Sequence, residues 1–143
     1  ATPCYEIEGP WGGNGGIPWT EGTYTKITGI TIRHADAVDA IAVRYALHGH
    51  AISGTKQGGT GGGVSTIDFA NDEYLTQITG HYGNESGVNV IKSLTFTTNI
   101  TKYGPYGSTN GTAFTSGGKG KIVGFYGRAA QLLDNLGVYS LQD

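Results

Sequence analysis

Ala35-Asp36-Ala37-Val38-Asp39-Ala40-Ile41-Ala42-Val43-Arg44-Tyr45-Ala46-Leu47 is the stretch that decides the fold class. From Ile41 onward the large apolar side chains (Ile41, Val43, Tyr45 and Leu47) alternate with Ala42, Arg44 and Ala46. Successive side chains of an extended strand point to opposite faces, so a period of two describes a strand with one face buried. The same alternation recurs at Ile30-Thr31-Ile32-Arg33 and at Leu94-Thr95-Phe96-Thr97. Threonine, valine, isoleucine and tyrosine suit a pleated surface. No convincing stretch places apolar residues at i, i+3, i+4 and i+7, so the chain is predicted to be all-β.

Working outward, glycine is the compositional outlier, at 26 of 143 residues. Three glycine-rich loops stand out: Gly12-Gly13-Asn14-Gly15-Gly16, Gly58-Gly59-Thr60-Gly61-Gly62, and Gly104-Pro105-Tyr106-Gly107 running on to Gly111. Their first glycines, Gly12, Gly58 and Gly104, are evenly spaced. An interval of that length holds about four short strands, so three units predict roughly twelve strands with approximate threefold symmetry. A second element recurs with the first. Ala35 to Asp39 leads into one alternating strand, and Ala130-Gln131-Leu132-Leu133-Asp134 leads into another. The third copy reads Gly87-Val88-Asn89-Val90-Ile91, with Ile91 at the aspartate position.

Composition excludes several classes. Net charge is −2, charged residues make up 14%, and the nine Lys and Arg form no run, which argues against a nucleic-acid or anionic-membrane surface. No run approaches the ~18 apolar residues of a bilayer span. Cys4 is the single cysteine, so no internal disulfide forms, and a free thiol fits a reducing compartment. Ala1 to Glu6 lack the basic and apolar regions of a signal peptide. A cytoplasmic or nucleocytoplasmic location is expected, with a secreted or vacuolar one left open. Sequons stand at Asn84, Asn99 and Asn110. His48-Gly49-His50 offers two imidazoles without a third ligand and reads as a solvated loop. Gly12 to Gly16 lacks the Lys-Ser/Thr and the following helix of a phosphate loop.

Three motifs in order carry a family resemblance: Gly9-Pro10-Trp11-Gly12-Gly13-Asn14-Gly15-Gly16, Tyr103-Gly104-Pro105-Tyr106-Gly107, and Gly124-Phe125-Tyr126-Gly127-Arg128 before the last Asp loop. Together they resemble the jacalin-related plant lectins from about Gly9 to Leu141. The resemblance implies one lectin domain over residues 1–143, with residues 1–8 an N-terminal extension or first strand. It implies a β-prism of three four-stranded Greek-key sheets about a pseudo-threefold axis, with metal-free, cofactor-free sugar sites at one end and no enzymatic activity. Carried over by position, the first site is Gly16, Ala130, Gln131, Leu132 and Asp134. The second is Gly62, Ala35, Asp36, Ala37 and Asp39. In the third, Ile91 would face Asn110 and Gly111 and offer no acceptor.

The mannose/glucose branch is the better match. Ala1 to Pro10 run continuously into the first loop, and Gln131 and Leu132 stand where galactose-binding members carry aromatics. The expected partners are mannose- or glucose-containing glycans and further copies of the chain, with neither nucleic acid nor membrane insertion. An ionised aspartate accepts from two neighbouring hydroxyls, and glycine lets the facing backbone approach a sugar ring. The chain departs from the family's G-x-x-x-D pattern at Ala130 and Ala35, which strains the loop only if that position needs positive φ. Asp134 and Asp39 are also ordinary turn residues, paired carboxylates also suit a glycosidase, and an interaction domain with decayed sugar sites would carry the same motifs.

Overall fold

The computed structural model describes residues 3–118 and 120–142. Thirteen strands and no helix are seen among them. They are β1 (Tyr5–Gly12), β2 (Ile17–Thr20), β3 (Lys26–His34), β4 (Val38–Leu47), β5 (His50–Ser53), β6 (Gln57–Gly58), β7 (Gly63–Asp68), β8 (Leu75–Glu85), β9 (Val88–Thr98), β10 (Lys102–Gly107), β11 (Thr112–Thr115), β12 (Gly120–Ala129) and β13 (Leu133–Gln142). Three antiparallel sheets run β1-β13-β12-β2, β5-β4-β3-β7 and β10-β9-β8-β11. The first joins the two ends of the chain, so residues 5–8 belong to its first strand.

The second sheet departs from four strands because its outer strand is cut in two, β5 and β6, both paired to β4. The corresponding strands β1 and β10 only shift register, at Gly9-Pro10 and Gly104-Pro105. Between β5 and β6 the chain leaves the ladder, with the Gly54 N–H on the Val43 carbonyl (2.8 Å) and the Thr55 N–H on the Glu21 carboxylate (2.9 Å).

The alternation delivers the expected core. Ile30, Ile32, Ile41, Val43, Tyr45, Leu94 and Phe96 are buried, joined by Ile78, Phe125, Leu136 and Val138 from the other strands, in one cluster between the sheets. Leu47, at the end of its strand, is exposed. His48 and Gly49 form the two-residue turn between β4 and β5, both with positive φ and both exposed.

The threefold register differs from even spacing. Gly12 pairs with Asn135, Gly58 with Ala40, and Gly107 with Ser93. The third loop therefore starts at Gly107, and Gly104 corresponds to Gly9, the head of the same Gly-Pro-aromatic-Gly run. The residues before those partners are Asp134, Asp39 and Lys92. Each is the extra residue of a β-bulge, falling between Arg128↔Asn135 and Ala129↔Leu133, between Arg33↔Ala40 and His34↔Val38, and between His81↔Ser93 and Tyr82↔Ile91. Lys92, not Ile91, thus occupies the third aspartate position. Ile91 pairs with Tyr82 and lies fully in the core, so it does not face Asn110 and Gly111.

Candidate functional site

A bulge residue lacks a ladder partner and its side chain is re-aimed, here toward one end of the prism. Each bulge meets its glycine loop through the backbone. The N–H of Gly13 donates to the Asp134 carbonyl (2.9 Å), that of Gly59 to the Asp39 carbonyl (3.1 Å), and that of Ser108 to the Lys92 carbonyl (2.9 Å).

The carboxylates then lie against the loops. A Cβ on Gly15 would stand 2.7 Å from Oδ2 of Asp134, and one on Gly16 2.5 Å from Oδ1. Gly61 and Gly62 meet the two oxygens of Asp39 in the same way, each at 2.7 Å. Gly16 and Gly62 also take φ of 74° and 73°, where a side chain is strained. Close approach and backbone conformation thus both require these glycines.

An arginine locks each loop. Arg128 donates from Nε to the Gly15 carbonyl (3.0 Å) and from Nη2 to the Gly16 carbonyl (2.9 Å). Arg33 donates from Nε to Gly61 (3.1 Å) and from Nη2 to Thr60 (2.7 Å). Sequence reasoning missed both, although the signal was present: each arginine stands at the same interval before its aspartate. His81, at the corresponding place in the third repeat, is hydrogen-bonded to Ser93 instead (2.8 Å).

The Asp loops are tight turns of one design, with the Ala130 N–H on the Leu132 carbonyl (3.0 Å) and the Ala35 N–H on the Ala37 carbonyl (2.9 Å). Neither Ala130 nor Ala35 takes positive φ, so alanine is unstrained at both. Gly15, Gly16, Ala130, Gln131, Leu132 and Asp134 share one open depression of about 890 Å³ with Ala35, Asp36, Ala37, Asp39 and Gly61. Gly62 backs this group through its contact with Asp39. The two predicted sites therefore lie side by side, since Gly59 of the second loop abuts the Gln131 backbone of the first site. The tip of the β8–β9 hairpin, with Glu85, Ser86 and Val88, completes the rim and was not anticipated.

Burial is the main influence on both carboxyls and holds each above its ordinary value. For Asp134 the Arg128 charge and the Ala130 N–H pull back. For Asp39, Arg33 and His34 pull back while Glu85 pushes further up. Asp134 is only 4% exposed, and its Oδ1 is buried without a hydrogen-bond partner. Buried acceptors are nearly always satisfied, and Oδ1 of Asp134 and that of the neighbouring Asn135 are exceptions. Among the described residues no group of three or more His, Cys, Asp or Glu gathers as metal ligands do.

A prism of three sheets, with carboxylates held against glycine loops at one end, defines a lectin-type domain. Residues 8–139 match the jacalin-like lectin domain family, and the chain belongs to that family. It is 44% identical over 140 residues to Jacalin-related lectin 3 of Arabidopsis thaliana, covering 94% of this chain and 23% of that protein. It is 39% identical to the mannose/glucose-specific lectin of Parkia platycephala, covering 92% of this chain and 31% of that one. The chain thus spans well under half the length of these two relatives. Among solved structures, a mannose-specific jacalin-related lectin from Morus nigra in complex with mannose superposes with a TM-score of 0.91 at 37% identity, over 99% of this chain and 97% of that one.

Proposed function

We propose that this chain binds mannose- or glucose-type glycans without a metal, at Asp134 with Gly16 and at Asp39 with Gly62. The observation that carries the reading is the Asp134 carboxylate held against Gly15 and Gly16 in the lining of the depression. Adjacent sugar hydroxyls supply the donors this carboxylate lacks, and Gly15 and Gly16 leave room for the ring. Asp39 repeats the arrangement in a more open setting. The mannose preference is supported by the Parkia lectin's stated specificity and the Morus lectin's mannose complex. Each bulge carboxylate faces its own glycine loop, whereas a glycosidase sets two carboxyls across one bond, so binding without cleavage is the reading adopted.

Calorimetric titration with methyl α-mannoside, with and without EDTA, is the test. Binding unaffected by EDTA and weakened in Asp134→Asn is expected; no binding would leave an interaction domain as the reading, and release of reducing sugar would make it an enzyme. Association of copies is proposed from the exposed Tyr5 and Ile7 of edge strand β1, and is read by sedimentation. A cytoplasmic or nucleocytoplasmic location is also proposed. At Asn99 the sequon amide is already spent, with Nδ2 donating to the Asp72 carbonyl and Oδ1 accepting from the Tyr74 N–H.

A further inference from the structure

The third repeat holds a charged pair that sugar binding leaves unused. Lys92 stands where the other repeats carry Asp134 and Asp39, as a bulge residue whose carbonyl takes the matching loop N–H. An ammonium accepts no hydrogen bond, so it cannot replace a carboxylate. Its side chain is 9% exposed, and its Nζ lies 2.6 Å from Oε1 of Glu85, the last residue of β8. From there a two-residue turn, Ser86-Gly87, with positive φ at both positions, leads back into β9 at Val88. One leg of this hairpin leans on the first glycine loop: a Cβ on Gly13 would collide with the Asn89 carbonyl, and one on Gly15 would touch Val88 at 3.8 Å. The other leg puts Glu85 on the rim beside Asp39.

We propose that Lys92 and Glu85 are positioning residues: their ion pair fixes the β8–β9 hairpin as the common wall of the two sugar sites, so the third repeat serves the other two instead of binding a sugar. This rests on the sugar reading above. The pair also controls charge. Burial raises the Asp39 carboxyl most and Glu85 adds to it, while Arg33 and His34 on β3 lower it; Asp36 in the same loop and Asp134 in the same depression are further ionisable groups. Lys92 sits against Glu85 and offsets its field. Without Lys92 the repulsion from Glu85 is unopposed, Asp39 takes a proton more readily, and a protonated Asp39 accepts less from sugar. Asp134, faced by Arg128 and the Ala130 amide, receives no such push.

The test uses the full chain carrying Asp134→Ala, which leaves Asp39 as the acceptor, titrated with methyl α-mannoside from about pH 8 to about pH 4 across the carboxylate range. Adding Lys92→Gln is expected to weaken binding roughly three- to tenfold in the acid part of this range, where Asp39 titrates, and to move the acid midpoint up. Lys92→Arg should stay within about twofold, because it keeps the charge at that place. Glu85→Gln should move the midpoint down, and Lys92→Gln with Glu85→Gln should return it toward the parent. A merely structural role would lower Tm and affinity without moving the midpoint and would show no recovery in the double variant. An unchanged affinity and midpoint in folded Lys92→Gln overturns the proposal while sugar binding stands, and so does a sugar bound at the Gly107–Gly111 loop of the parent. Absence of binding in the Asp134→Ala background, with the parent still binding, removes the second site and this proposal with it. Absence of binding in the parent itself defeats the sugar reading first.

Discussion

Asp134 is where folding and binding pull in opposite directions. Burial raises its carboxyl more than Arg128 and the Ala130 amide lower it, so folding without sugar disfavours the ionised form relative to the unfolded chain. A folded-state pKa above the unfolded one contributes stability that is full below the unfolded value of 3.8 and is lost as pH rises through the folded value. At neutral pH the ionised group therefore weakens the sugar-free fold, and Asp134→Asn should leave Tm unchanged or higher by calorimetric scanning. The same change should cost roughly 1.5–3 kcal/mol of sugar affinity at the first site, through one lost charge-assisted bond. A clear drop in Tm would show that the carboxylate is structural. Binding should also fade on acidification as Asp134 and Asp39 protonate, from above the ordinary carboxylate value. Gly16 supports this site by two separable means. Gly16→Ala meets the Asp134 carboxylate and the Ala129 backbone in addition to its φ of 74°, whereas Gly22→Ala has the same φ and nothing within 4 Å. Gly22→Ala should cost about 1–2 kcal/mol of stability with affinity kept; Gly16→Ala should cost more and also remove first-site binding. Equal effects in denaturant titration would mean that conformation alone fixes that glycine.

At the scale of elements, the loop before β8 depends on one buried acid. Glu73 accepts from the Ala70 N–H (3.0 Å), the Thr98 hydroxyl (2.7 Å) and the Tyr103 hydroxyl (2.8 Å). Burial raises its carboxyl, but these three bonds and the Lys26 charge outweigh burial and hold it below its ordinary value. Such a group contributes stability present above the unfolded value and lost as pH falls through the folded one. Glu73→Ala takes the acceptor from the Tyr103 hydroxyl and the Ala70 N–H, while the Thr98 hydroxyl keeps the Thr101 carbonyl, and should cost roughly 2–4 kcal/mol in urea unfolding. A cost under about 1 kcal/mol would show that water replaces the carboxylate. Nothing in the local pattern around Glu73 announced this role, because its partners lie 25 and 30 residues away. Strand β4 was legible because its period of two needs only its own residues and one buried face. The third glycine loop was misplaced because even spacing picks Gly104, the counterpart of Gly9, over Gly107, and matching Gly87 to Ala35 and Ala130 put Ile91 where Lys92 stands. Arg128 and Arg33 carried a readable interval, but their donation to loop carbonyls needs the strand and the loop placed together. The cut between β5 and β6 was likewise invisible, since it follows from the hold of Glu21 on Thr55 across the fold.

For the molecule as a whole, the three bulges set a ceiling on valency. Pseudosymmetry repeats the geometry three times, through the Gly12–Asn135, Gly58–Ala40 and Gly107–Ser93 pairs, yet the chemistry differs at the residue each bulge re-aims. Two bulges present carboxylates and the third presents a lysine held by Glu85. Both carboxylates open into one depression, so the two sites face the same way and can meet one glycan surface together. On the proposed reading a single sugar ring at either carboxylate would be held by few contacts, so useful strength would depend on engaging both. Calorimetry with methyl α-mannoside should therefore return two equivalents per chain. Asp134→Ala and Asp39→Ala should each return one, and the double variant none. A branched mannose oligosaccharide long enough to span the depression should bind the parent more tightly than the monosaccharide by on the order of tenfold or more, and this excess should vanish in either single variant. An excess that survives in both single variants would mean that extra contacts within one site, rather than two sites acting together, give the oligosaccharide its affinity.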